Sequence, residues 1–110
     1  MIYAVTVRVD AAIAEEWFEW MRTVHVPEIL ATGCFTRCVM QREIESPASD
    51  GRVTWVLEYL APSLEHLRVY QRDYASSLQR SHTDRYAGRF EASRSVRLVE
   101  CTLPSASSPG

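Results

Sequence analysis

The period of the apolar residues changes at Asp10, and that change constrains the fold more than any other feature of the chain. Up to Val9 the sequence alternates: Tyr3, Val5, Val7 and Val9 are separated by Ala4, Thr6 and Arg8, the period-two pattern of a strand with one strongly apolar face. Beyond Asp10 the period is helical. From Ala11 to His25, the residues Ile13, Trp17, Trp20, Met21 and Val24 share one face, opposite Glu15, Glu16, Glu19, Arg22 and Thr23. Phe18 and His25 fall together on a flank of that face. Asp10 stands where a carboxylate can cap the helix, and Glu15 and Glu16 sit toward the positive end of its dipole.

Pro27 lacks an amide donor and disfavours helical geometry at Val26, so a break is expected there, with a short restart through Ala31 and a stop at Gly33. Cys34 to Glu45 reads as a second strand, Ser46 to Gly51 as a turn, and Arg52 to Leu60 as a third strand. Pro62 and Ser63 open a second helix, whose expected inward stripe is Leu64, Leu67, Tyr70, Tyr74 and Leu78, bent before it ends near Gly88. Phe90 to Cys101 reads as the last strand. This order predicts an α+β domain of ferredoxin-like βαββαβ topology over residues 1–102: a four-stranded antiparallel sheet with both helices on one face. Residues 103–110, rich in Pro, Ser and Ala, bury almost nothing and are expected to form a disordered tail.

Two-sided strands carry a further implication. With Val5, Val7, Val9, Trp55, Leu57, Tyr59, Val96 and Leu98 beneath the helices, the opposite face would hold Ile2, Ala4, Thr6, Cys38, Met40, Val56, Val99 and Cys101. Such a half-apolar face covers roughly 500 to 600 Å², as much as a monomer ordinarily exposes in one patch. Two copies pressed together would clear the roughly 1,000 Å² of a biological interface, so a homodimer through the sheet face is expected. Glu58 and Arg8, on that face, would supply an ion pair at the interface.

Among 110 residues of net charge −2, the arginines are interleaved with acidic residues and form no basic run, which argues against nucleic acid. No apolar stretch is long enough to span a membrane, and the alternating, soon acidic start is unlike a secretory signal, which predicts a cytoplasmic protein. The odd set Cys34, Cys38 and Cys101 is expected to remain as free thiols; the first two, read as strand-borne, would lie about 13 Å apart. His66 and His82 have no Cys or carboxylate at ligand spacing, so no metal is predicted. Neither a phosphate loop, a nucleophile elbow nor a dinucleotide fingerprint is present, so no cofactor is predicted.

Trp17 to Met21 followed by His25-Val26-Pro27 is the stretch richest in chemistry, since two indoles and a titratable ring lie on or beside one buried helix face. Either these residues are core, with His25 capping carbonyls at the helix end, or they wall a pocket in which His25 donates or accepts a proton. Arg94 alternates with Val96 and so points under the helices, where it would bind a substrate oxyanion or join an internal ion pair. Tyr70 and Tyr74, on the inward stripe, with Tyr59, Trp17, Trp20 and Met21, would form the walls around a small hydrophobic or aromatic ligand.

Taken in order, Ile2 to Val9, Trp17 to Met21, His25-Val26-Pro27, Ala31-Thr32-Gly33-Cys34-Phe35 and Phe90 to Arg94 give the chain a likeness. It resembles the bacterial proteins grouped as domain of unknown function family 4286, over about residues 2 to 100. More distantly it resembles the dimeric α/β-barrel superfamily of monooxygenases, muconolactone isomerases, polyketide cyclases and ethyl tert-butyl ether degradation proteins. The resemblance implies a small-molecule cavity between sheet and helices, without metal or prosthetic group, and with His25 and Arg94 as pocket residues. It leaves open a cofactor-independent enzyme (cyclase, isomerase or monooxygenase-like), a non-catalytic ligand-binding dimer, or an interaction module whose aromatic residues are all core.

Overall fold

The computed structural model describes residues 1–45 and 50–106. Strand β1 (Ile2–Asp10) runs into a 3-10 turn (Ala11–Ile13), helix α1 (Ala14–Trp20), a π-turn (Met21–His25) and helix α2 (Val26–Leu30). Next come strands β2 (Arg37–Arg42) and β3 (Arg52–Leu60), helices α3 (Leu64–Asp73) and α4 (Ala75–Tyr86), and strand β4 (Phe90–Arg97). The four strands form one sheet in the order β2-β3-β1-β4, each neighbouring pair antiparallel. This is the ferredoxin-like βαββαβ fold, with both helical layers on one face. Trp17 and Phe18 pack on Trp55 of β3, while Tyr70 and His82 pack on Tyr3 of β1 and Phe90 of β4.

The register assigns the two faces. Val5 stands between Leu57 and Arg94, and Met40 lies opposite Leu57; Tyr3 stands between Tyr59 and Val96, and Cys38 lies opposite Tyr59. These are the helix-facing rows. Cys38 and Met40 therefore belong beneath the helices and not on the back face, because β2 pairs with β3 in the phase that puts Val39 outward instead. Strand β2 is also shorter than its apolar run: Cys34 and Phe35 are buried in the turn that precedes it, so Cys34 is not strand-borne. β4 stops at Arg97, leaving Leu98, Val99 and Cys101 exposed beyond the sheet and not on either of its faces. The back face consequently presents Ile2, Ala4, Thr6, Val39, Val56 and Leu60 among its charged residues. The expected turn at Ser46 to Gly51 falls mostly on residues 46–49, and the end of the expected tail on 107–110, both outside the described residues.

The helical stretches depart from the wheel for local reasons. Pro27 does not break the first one. In a continuous α-helix its ring would meet the carbonyl of Thr23, but the π-turn ends just ahead of it and a new α-segment starts with Pro27 in its first turn, where a missing N–H is tolerated. Val26 keeps helical angles and donates its N–H to the carbonyl of Met21, five residues back. That wider turn buries His25 and Val26 and leaves Val24, expected inward, exposed. Asp10 caps no helix amide; its carboxylate is taken by Arg89 at 3.0 Å and Arg52 at 3.1 Å, whose hydrogen bonds hold it below the usual carboxylate range.

Ser63 caps α3 by accepting from the N–H of His66 at 3.2 Å. The second helical stretch then breaks at Tyr74, whose φ of −126° is outside the helical range. The break changes the phase of the buried face: Leu67 and Tyr70 face the core before it, and Ala75, His82 and Tyr86 after it, whereas Leu64 and Tyr74 of the expected stripe are exposed. Gly88, at φ +77°, turns the chain from α4 into β4 through a left-handed conformation that only glycine adopts without strain.

Candidate functional site

Between the sheet and the helices lies a hollow of about 40 Å³, room for a water molecule or one small polar head group. The π-turn brings Met21 and His25 to it, α4 brings Gln79 and His82, β1 brings Tyr3, Val5 and Val7, β3 brings Tyr59, and the edge strand β4 brings Arg94. Outside it runs a groove of about 490 Å³ between α3–α4 and β4, lined by Gln71, Ala75, Ser76, Ser95 and Val96. Tyr3, Gln79 and Arg94 line both spaces and so stand where the two adjoin.

The inner end of the hollow is buried and uncharged. His25 is 5% exposed, its ring stacks on Trp20 at 4.9 Å between centroids and 19° from parallel, and its Nδ1 is buried without a hydrogen-bond partner. Burial lowers its pKa to about 4. His82 stands 5.6 Å from it between ring centroids and accepts at Nε2 from the indole N–H of the fully buried Trp17, at 2.8 Å. Burial, then the positive charges of His25 and Arg94, lower the pKa of His82 to about 4 as well. Both rings are therefore neutral at neutral pH. The phenols of Tyr59 and Tyr70 are pushed upward, chiefly by burial, and so is that of Tyr3, against an opposing pull from Arg94 and Gln79.

At the outer end the charge is positive. Arg94 projects from the edge strand on the helix side, exposed and not enclosed as expected, because no further strand flanks β4. Among the described residues it belongs to no ion pair, as is also true of Arg37, Arg42, Arg68 and Arg80, whereas the other seven arginines each have an acidic partner. Within the chain Glu58 pairs with Arg97 and not with Arg8, which pairs with Asp50 and Glu91: Glu58 stands opposite Ala4, four positions along β1 from Arg8.

Of the residues singled out from sequence, His25, Arg94, Met21, Tyr59 and Tyr70 meet around the hollow. Trp17 and Trp20 stand behind it, one bonded to His82 and the other stacked on His25. Tyr74 is 38% exposed and lines a separate depression with Glu28 and Thr32. Three polar residues at the hollow carry no part in the sequence-based expectation of the site: Tyr3, Gln79 and His82. The signal for His82 lies in the i, i+4 ladder that runs on from Tyr74 through Leu78 to His82 and Tyr86, the last two of which lie beyond the end of the expected stripe at Leu78. No group of three or more His, Cys, Asp or Glu side chains among the described residues could hold a metal ion, and no helix is long and apolar enough to cross a membrane.

Comparison with known proteins places this geometry in context. The family model described as "Domain of unknown function (DUF4286)" matches residues 1–100. An ethyl tert-butyl ether D (EthD) family protein of Bacillus halodurans C-125 superposes with a TM-score of 0.60 at 9% identity, covering 89% of this chain and 100% of that one. A dimeric ferredoxin-like protein from an uncultured marine organism superposes with a TM-score of 0.55 at 14% identity, covering 93% of this chain and 98% of that one. At such identities the likeness is one of fold. No curated protein matches the sequence.

Proposed function

The chain belongs to the DUF4286 family, and from that premise we propose that it is a homodimer that binds a small hydrophobic or aromatic molecule in the groove between α3–α4 and β4, with the polar end of the ligand at the hollow. The observation that carries this reading is the shared lining: Tyr3, Gln79 and the Arg94 guanidinium border both the groove and the hollow, and the hollow also holds the buried imidazole of His25. The groove falls within the roughly 300 to 1,000 Å³ of small-molecule sites, while the hollow alone does not. Arg94 serves as the anchor for an oxyanion and His25 as a neutral hydrogen-bonding partner.

Catalysis by His25 is the second reading. A general base works best with a pKa near the operating pH, and a ring held near 4 falls short of that. The unpartnered Nδ1 is what favours it, because an acidic ligand hydroxyl bound there would supply both a proton and a compensating negative charge.

The homodimer rests on the back face. Ile2, Ala4, Thr6, Val39, Val56 and Leu60 form an apolar field that a second copy would cover across a two-fold axis, and the solved neighbour described as dimeric has the same fold.

The test is calorimetric titration of aromatic acids, phenols and neutral lactones into the wild type, Arg94→Met and His25→Gln. Saturable binding that weakens about tenfold or more in both variants is expected. Absence of binding by every compound, or binding indifferent to both substitutions, would overturn the site. Turnover of a bound compound that disappears in His25→Gln would establish the enzyme reading.

A further inference from the structure

His82 makes one hydrogen bond to protein among the described residues, and that bond dictates which of its nitrogens carries the proton. An indole N–H can only donate, so the Nε2 that faces Trp17 must present a lone pair. A neutral imidazole then carries its hydrogen on Nδ1. Trp17 does not line the hollow and His82 does, so the ring nitrogen turned away from Trp17 is the one left for whatever occupies that space.

The clamp is rigid. Trp17 is fully buried and packed against Trp55, with ring centroids 5.6 Å apart. Phe90 meets the His82 ring edge to face at 4.4 Å, and Tyr86 flanks it at 5.5 Å. A flip of the imidazole would leave the buried indole N–H without its acceptor, a cost comparable to a lost buried hydrogen bond.

We propose that His82 is a ligand-binding residue, locked by Trp17 as the Nδ1–H tautomer, and that it makes the hollow selective for an acceptor oxygen, that of a carboxylate or an enolate. This rests on the ligand site proposed above and names the chemistry of its inner end. Arg94 at the mouth and the His82 Nδ1–H inside are both donors, so a head group with two or more lone pairs satisfies them together, whereas an ammonium head offers only hydrogens. The hollow admits the head and no more, which leaves the body of the ligand in the groove.

The tautomer is read without any ligand, from long-range proton–nitrogen correlation spectra of the protein labelled with 15N-histidine at neutral pH, His82 being assigned by its loss in His82→Gln. A pyrrole-type Nδ1 and a pyridine-type Nε2 are expected, and a mixture of tautomers in Trp17→Phe. A proton on Nε2 in the wild type overturns the lock, whether or not Trp17→Phe folds.

The selectivity is read with benzoate and benzylamine as probes. Benzoate should bind and benzylamine should not. His82→Gln, whose amide can accept from Trp17 and still donate, should retain benzoate affinity within a few-fold, whereas His82→Phe, which keeps a ring but has no donor, should lose about tenfold or more. Equal losses in the two variants overturn the donor role. An intact tautomer in a protein that binds no acid at all overturns the ligand site and the selectivity while leaving the lock in place.

Discussion

Trp20 lies almost flat against His25, 19° from parallel, and burial between the sheet and the helices resists charge on that imidazole. His82, nearby, is in the same condition. Both rings titrate near 4 in the folded chain, whereas an exposed histidine titrates near about 6.5. Between those values the unfolded chain binds more protons than the folded one.

Stability is therefore expected to be full above about pH 6.5, to decline as pH falls through the window, and to level off for these groups below about 4. The slope should reach on the order of 1.4 kcal/mol per pH unit for each histidine. Urea midpoints across the window measure it. His25→Gln should flatten the slope by about one histidine's share, and an unchanged slope would mean that the ring is not buried neutral.

Leu67 on α3 is completely buried among the core residues. Leu67→Ala should cost about 2 to 5 kcal/mol by removing methyl groups from a packed site that relaxes only in part. Chemical denaturation checks it, and a loss below about 1 kcal/mol would mean that α3 does not pack as described.

Ser63→Ala removes the side-chain acceptor for the amide of His66 and should cost about 1 kcal/mol, while Ser63→Gly should cost only a few tenths. The difference between the two variants separates the cap from general disturbance of the loop.

The thiols should fall into two classes. Cys101 is exposed and Cys34 buried, and burial pushes the Cys38 thiol up to about 12, against a hydrogen bond to Tyr59. At about pH 8 a thiol-exchange reagent should react quickly with one cysteine and slowly with two, and with all three in denaturant. Rapid reaction at Cys38 would contradict its place beneath the helices.

If the sheet backs join two copies, Val56→Asp should convert a species of twice the chain mass to one of single mass in light scattering, with little change in circular dichroism. A wild type that is monomeric at micromolar concentration would remove the interface.

How far the fold is legible in the sequence differs between β1 and β2. Alternation from Tyr3 to Val9 specifies both the strand and its inward face, because the inward positions are strongly apolar and Arg8 marks the other side. In β2 the same period is visible but its phase is not: Cys38, Val39 and Met40 are all apolar, and only pairing with Tyr59, Glu58 and Leu57 decides which of them turns inward. The lining of the hollow is legible at His25 and Arg94. It is hidden at His82, whose inward direction depends on a backbone break at Tyr74 that neither Gly nor Pro announces.

The π-turn from Met21 to His25 amounts to one surplus residue held inside a helix, and the wider turn keeps the segments on either side of it in phase. Wound as an uninterrupted α-helix, the same residues would carry Val26 to Leu30 around the axis by about 100° relative to Trp17. Val26 and Ile29 would then swing out of the core and Pro27 would meet the coil ahead of it. Insertions are ordinarily absorbed by loops, yet in this chain the width of one helical turn sets whether an imidazole looks inward or out.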